Sequence, residues 1–278
     1  MNYFNYNGKI YKENTTVIGP DNRGLRYGDG LFETMKYANG KLVMANEHFS
    51  RLWKGMQLLQ FEIPKQFTAS LLENNIVELL QKNNIDKKAR IRINIFRGNG
   101  GIFDPANHFP NYIIQTWHLP ENNEDLNANG LVLGIYQEIK KSCDIFSNLK
   151  HNNYLPYLMA ALYAKKEKWN DAVILNCNGR ICDTTIANIF LIKNEVIFTP
   201  ALTEGCVAGV MRKKIIEELK GNYAIIEKGI SVMDLLNADE VFLTNSIYNI
   251  RWVQQIADKE FKKTMTHKIY SLLLPNIS

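Results

Sequence analysis

The sequence predicts an α+β protein (an α/β two-domain arrangement), and three observations carry that reading. Strand-like runs alternate with amphipathic helical runs along the chain. One polar stretch, LPENNEDLNANG at 119–130, interrupts them. Composition is that of a globular chain, 46% hydrophobic and 22% charged over 278 residues, enough for one large core or two modest ones. The break implies an N-terminal α+β domain at 1–118, an interdomain linker at 119–130 and a C-terminal domain at 131–278.

The elements follow in order. FNYNGKIYKEN places two short aromatic-bearing runs around Asn7-Gly8, a strong hairpin turn. LFETMKYANGKLVM repeats the device at Asn39-Gly40. A helix is expected next, capped by Asn46, with Phe49, Leu52, Trp53, Met56 and Leu59 on one face. SLLENNIVELLQKNNI is a second amphipathic helix, and ARIRINIF and NYIIQTWHL are strands. Beyond the break, LVLGIYQEI is a strand and 154–168 a helix. DAVILNCNGRICDTTIANIFLIKNEVIFTP holds three strand-like runs, VMRKKIIEELK is a helix, and ADEVFLTNSI is a strand entering a loop. No internal repeat or low-complexity tract is present.

Several function classes are disfavoured at once. The formal net charge of +5 is spread along the chain, so no nucleic-acid stripe is formed, while an anionic small molecule remains compatible. Cys143, Cys177, Cys182 and Cys206 lack C-x-x-C spacing, which fits a reduced protein. No apolar run approaches the ~20 residues of a membrane span, and MNYFNYNGKIYKEN has no apolar core of a signal peptide. A cytoplasmic location is expected. The five histidines have no metal-ligand spacing, so no metal site is expected.

Four segments could carry chemistry. In GLRYGDGLFETMK three glycines surround Asp29, which suits a tight turn or a close backbone approach. Gly205 and Gly209 precede the helix at VMRKK, either as a hinge or as an anion-binding helix start. Thr244, Asn245 and Ser246 follow a strand, as turn residues or ligand contacts. Strand alternation puts Arg90, Arg92 and Asn94 on one face, for solvent or for anions. A fifth stretch, FSNLKHNNYL, sets Lys150 among asparagines ahead of a helix; a random lysine there would be solvated.

Taken in order, RYGDGLFETMK, EHFSRL, NLKHNNYL, CDTTIANIFL with IFTP, GVMR and DEVFLTNSI resemble the class IV aminotransferases, the fold-type IV pyridoxal-phosphate enzymes. That family includes branched-chain and D-amino-acid aminotransferases and 4-amino-4-deoxychorismate lyases, and the resemblance runs from about residue 20 to 255. It implies a smaller N-terminal domain, a larger cofactor-binding C-terminal domain with the cofactor in the cleft, and a homodimer whose active site a neighbouring subunit completes. It implies pyridoxal 5'-phosphate held by Lys150 as a lysine aldimine, with Lys150 then acting as the base. Arg51 and the backbone of Gly209, Val210 and Met211 would receive the phosphate, with Thr244, Asn245 and Ser246 as a second phosphate loop. Asp183 would pair with the pyridine nitrogen. Phe32, Arg90 and Arg92 would face the substrate.

Three departures bear on the activity. Asp183 replaces the family's usual Glu, one methylene longer. NSIYNIRW lacks the Glu and Thr-Pro pair of many aminotransferase members. RGNGGIFDP resembles a lyase loop but carries Ile102 where the lyases have a basic residue. The resemblance therefore implies an aminotransferase moving an amino group between an α-amino acid, with branched-chain amino acids among the candidates, and a 2-oxo acid. The alternatives are a 4-amino-4-deoxychorismate lyase releasing pyruvate and 4-aminobenzoate and, from a different class, a non-catalytic homologue that binds the cofactor.

Overall fold

Asn7-Gly8 and Asn39-Gly40 both turn hairpins, and all four residues have positive φ, at 49°, 84°, 53° and 78°. That is the requirement of a type I′ turn, whose twist matches the strands it joins. The structure, a computed structural model, describes residues 2–103, 107–121 and 125–277. Residues 122–124 of the 119–130 stretch, and the last two of RGNGGIFDP, lie outside them. The chain divides into two compact units, Met1–Asn123 with Lys150–Asn153, and Glu124–Leu149 with Tyr154–Ser278.

The first unit contains β1 (Tyr3–Tyr6), β2 (Lys9–Lys12), α1 (Arg23–Tyr27), β3 (Gly30–Ala38), β4 (Lys41–Leu42), α2 (Ala45–Leu58), α3 (Ala69–Lys82), β5 (Ala89–Phe96) and β6 (Asn111–His118). Its six-stranded sheet runs β2-β1-β6-β5-β3-β4, and every neighbouring pair is antiparallel. Helix α2 packs on β3, and α3 on β1 and β6. The strand period of two sends Met35, Ile91, Ile93 and Ile95 into the core with Leu52, Met56, Leu72 and Ile76. The opposite face takes the residues paired across β3 and β5: Phe32 with Asn94, Thr34 with Arg92, and Lys36 with Arg90.

One expectation changes here. Asn46 does not cap α2. Met44, in the left-handed region, occupies that position without a side-chain bond, and Asn46 lies inside the first turn. The segment before Asp29 is a short helix, capped by the Asn22 side chain on Leu25 N at 3.1 Å and ended by Gly28 at φ 65°.

The second unit contains β7 (Leu131–Lys141), α4 (Leu155–Lys166), β8 (Asp171–Asn176), β9 (Ile181–Thr184), β10 (Asn188–Lys193), β11 (Val196–Pro200), a 3-10 turn at Leu202–Glu204, α5 (Val210–Leu219), β12 (Ile225–Lys228), α6 (Val232–Leu236), β13 (Glu240–Asn245), β14 (Asn249–Ile256), β15 (Lys259–Glu260) and α7 (Thr264–Ile277). Four strands, not three, fill 171–200, because a turn at 185–187 splits ICDTTIANIFLIK into β9 and β10. The sheet order is β12-β11-β10-β13-β14-β7-β8-β9, with β15 on β14. β7 and β8 are parallel neighbours joined through α4, a βαβ crossover. Gly134 of β7 is required there: a Cβ would lie 1.6 Å from the Trp169 ring. Among the described residues no helix is long and apolar enough to cross a membrane.

Candidate active site

In the first unit, Lys150 is held by its backbone. Lys150 O accepts Phe32 N at 2.8 Å, His151 bridges Leu31, and Asn152 N donates to Gly30 O at 3.0 Å. Residues 150–152 thus run beside the start of β3. The glycines of YGDG make room for them. A Cβ on Gly28 would meet Asn153 Oδ1 at 2.3 Å, and one on Gly30 would meet Asn152 Nδ2 at 2.6 Å and Ile95 O at 2.1 Å. The asparagines of KHNN and the glycines of GDG are therefore one packing device.

The side chains converge on Phe32, which is 4% exposed. Lys150 Nζ lies 4.5 Å from its ring centroid and the Arg92 guanidinium carbon 3.9 Å from it. The negative ring face attracts both cations and holds two positive groups beside one apolar surface. Arg90, exposed, stacks instead over Trp117 at 5.2 Å. Lys36, on the same sheet face, is fully buried.

Arg51 projects from α2 onto buried Glu33 of β3. Its Nε donates to Glu33 Oε1 at 2.7 Å and an Nη to Oε2 at 2.5 Å. His48, one helical turn earlier, places Nδ1 2.7 Å from the same Oε2. Burial alone would push the Glu33 carboxyl up. The charges of Arg51 and His48 and their hydrogen bonds outweigh it and hold the carboxyl down at about 2. Glu33 fixes the fork of Arg51 in place.

In the second unit, Asp183 of β9 sits in a cage of donors. Its Oδ2 accepts Lys141 Nζ at 3.1 Å, the Tyr157 hydroxyl at 2.8 Å and Val207 N at 3.0 Å; Oδ1 accepts Asn188 Nδ2 at 2.9 Å. Asp183 is 2% exposed and Lys141 5%. Burial and the Asp183 charge push the Tyr157 hydroxyl well up, so it remains a donor. Every contact suits a carboxylate. Oδ1, with one partner among the described residues, keeps capacity for a second donor.

Asn188 also donates to Val207 O at 2.9 Å and stands against Gly209, where a Cβ would meet its Oδ1 at 1.9 Å. Gly209 is the N-cap of α5 and caps it with no side chain. Val210 and Met211 open the helix, so its first N–H groups and the positive end of its dipole are available to an anion. Thr244 and Asn245 end β13, and Ser246 begins the turn to β14. The Thr244 hydroxyl donates to Asn249 O at 2.8 Å, and Asn245 Oδ1 accepts Ile247 N and Tyr248 N at 3.0 Å each. These two side chains shape the turn. Thr244 and Asn245 also line a cleft of about 270 Å³ with Asp171, Tyr248 and Arg251.

Glu33, His48, Lys141, Tyr157 and Asn188 were not singled out in the sequence. Glu33 and His48 do lie inside LFET and EHFSRL, on the segments that bring Arg51 to its place. Lys141 and Tyr157 meet Asp183 from 42 and 26 residues away, with no local signal.

The Amino-transferase class IV family model matches residues 30–256. Aminodeoxychorismate lyase of Vibrio harveyi is 32% identical over 250 residues, 89% of this chain and 90% of that protein. Aminodeoxychorismate lyase of Bacillus subtilis (strain 168) is 31% identical over 256 residues, 88% of this chain and 83% of that protein. The solved branched-chain amino acid aminotransferase from Escherichia coli superposes with a TM-score of 0.87 at 22% identity, over 100% of this chain and 94% of that one. The match spans the GDG strand, the Lys150 segment, the Asp183 cage and the two phosphate-loop candidates, so the chain belongs to the class IV aminotransferases, a family of enzymes with the fold-type IV architecture expected from its motifs.

Proposed function

We propose that this chain is a pyridoxal-phosphate enzyme that takes an amino substrate bearing a carboxylate, with Lys150 as its catalytic residue. The observation that carries the reading is the buried Asp183 cage. Four donors keep a carboxylate in place, and Oδ1, with one donor among the described residues, keeps hydrogen-bonding capacity for a pyridinium N–H. The open start of α5 at Gly209, Val210 and Met211 offers N–H groups to a phosphate, with Arg51 and Ser246 as further phosphate donors. Bound there, the cofactor would supply an electron sink for the substrate α-carbon. The chain's own residues do the rest. Lys150 Nζ would hold the cofactor and, when free, would serve as the base that accepts the α-proton. Asp183 keeps the ring nitrogen protonated, and the Lys141 ammonium, Tyr157 and Asn188 keep Asp183 oriented. Arg92, stacked on Phe32, meets the substrate carboxylate, with Arg90 beyond it.

Two outcomes share this machinery. An aminotransferase passes the amino group to a 2-oxo acid, as the name of the family implies. A lyase eliminates pyruvate from 4-amino-4-deoxychorismate, and the two lyases at 31% and 32% identity over nearly nine-tenths of the chain favour this second reading. The exposed apolar residues Leu155, Leu158 and Leu162 at helical spacing on α4 support a homodimer.

The test begins with visible absorption and borohydride trapping of the protein supplied with pyridoxal phosphate. A lysine-bound band, a cofactor mass fixed on the peptide holding Lys150, and loss of both in Lys150→Ala are expected. A wild type that stays colourless and takes up no cofactor refutes the proposal. A bound cofactor with no turnover of any amino compound identifies a non-catalytic homologue. Turnover of 4-amino-4-deoxychorismate without an oxo acid selects the lyase; an absolute need for an oxo acid selects the aminotransferase.

A further inference from the structure

Four thiols divide into two buried and two reachable ones. Cys182 and Cys206 are buried, and burial first, then the charge of Asp183, pushes the Cys206 thiol up to about 12. Cys177 is exposed and Cys143 half-buried. They stand far apart in sequence, yet at the ends of neighbouring parallel strands: Lys141 of β7 is opposite Asn176 of β8, and Cys177 N donates to Lys141 O at 2.8 Å. Cys177 is thus held by its backbone to the residue two before Cys143, so both cysteines leave the same end of the β7-β8 pair.

The loop after β7 brings Cys143 to Cys177. Ser147 Oγ donates to Ser142 O at 2.9 Å and accepts Asp144 N at 3.0 Å, which anchors the residues on both sides of Cys143. Gly205 lets this backbone pass: a Cβ there would meet Ser142 O at 2.4 Å and Cys143 Sγ at 3.4 Å. After burial, Cys177 is the group that acts most strongly on the Cys143 thiol. The Arg180 guanidinium, fixed on Glu204 at 2.6 Å, sets a positive charge within electrostatic reach of both sulfurs. Burial first, then Cys177 and the Glu204 charge, push the Cys143 thiol up; Cys177 is the more exposed of the two and is therefore the first to react.

We propose that Cys143 and Cys177 are a redox pair that closes to an intramolecular disulfide by exchange with a low-molecular-weight disulfide. The Cys177 thiolate attacks the disulfide RSSR, forming a mixed disulfide and releasing one RS⁻. The Cys143 thiolate then attacks the Cys177 sulfur and releases the second RS⁻. Two protein thiols are oxidised, RSSR is reduced to two RSH, and the two thiol protons pass to the released thiolates. The bond would tie the 142–149 loop, which ends at Lys150, to the turn after β8.

The test uses the full chain, oxidised glutathione, an acid quench, alkylation and peptide mass mapping. Trypsin isolates Cys143 in the peptide 142–150 and Cys177 in the peptide 169–180. The expected product is these two peptides linked, lighter by two hydrogens, with Cys182 and Cys206 only alkylated. Cys143→Ser should trap glutathione on Cys177, and Cys177→Ser should react at Cys143 about tenfold more slowly or less. Glutathione persisting on Cys177 of the wild type as it does in Cys143→Ser overturns the proposal, as does a link through Cys182 or Cys206. The wild-type peptide map decides the matter even if a variant folds poorly.

Discussion

Replacing Glu33 by Gln keeps its shape and removes the charge that faces Arg51 and His48. The carboxyl titrates at about 2 in the fold against 4.5 for an unperturbed group. At about 1.4 kcal/mol per pH unit, ionised Glu33 contributes about 3 kcal/mol at neutral pH. The folded value is depressed, so this contribution is complete above 4.5 and is lost as pH falls towards 2. Glu33→Gln should therefore lose about 3 kcal/mol at pH 7, in line with breaking a buried ion pair. About 2 kcal/mol of the gap between the two proteins should close by pH 3. Urea unfolding of both proteins across that pH range measures the gap directly. A gap that stays constant with pH would show that Glu33 is not held as a paired anion and would undo the account of how Arg51 is positioned.

Lys141→Met leaves Asp183 buried without its cation and should cost about 3–5 kcal/mol in urea unfolding. Tyr157→Phe removes one hydrogen bond to the same carboxylate and should cost about 1–3 kcal/mol by the same assay. Gly209→Ala forces Asn188 from its place against the start of α5. It should weaken retention of pyridoxal phosphate, read by equilibrium dialysis, more than it lowers the melting temperature. Thr68→Ala deletes the hydroxyl that accepts Leu71 N at 3.1 Å at the start of α3 and should cost about 1 kcal/mol in urea unfolding.

Hairpins and helices were legible where local rules decide them. Asn-Gly dipeptides fixed two turns, and period-two alternation separated the core face of β5 from the face that bears Arg90 and Arg92. The start of α2 was misread because propensity points to Asn46, whereas the chain turns at Met44 in the left-handed region. The split between β9 and β10 was invisible because apolar residues continue through both strands and a short turn alone separates them. At the site, a motif marks the residue that protrudes from its own segment, such as Lys150 or Asp183. The donors around Asp183 arrive from β7, α4, β10 and the segment before α5, so only tertiary structure names them. The start of α7 is a similar case: Glu240 of β13 caps it, accepting Met265 N and Thr266 N at 2.8 and 2.7 Å.

The run of 150–152 along β3 has a consequence for biosynthesis. β4 pairs only with Tyr37 and Ala38, so along Gly30–Phe32 residues 150–152 lie on that edge of the strand. A nascent chain that has emerged only to residue 123 holds every strand of the first sheet yet lacks these partners. Phe32 N and Gly30 O then lack their partners, an open backbone edge of the kind that recruits other chains. That edge of the first unit is closed only by residues 150–153. A fragment ended at 123 should be prone to association, and supplying 150–153 on a short tether should suppress it.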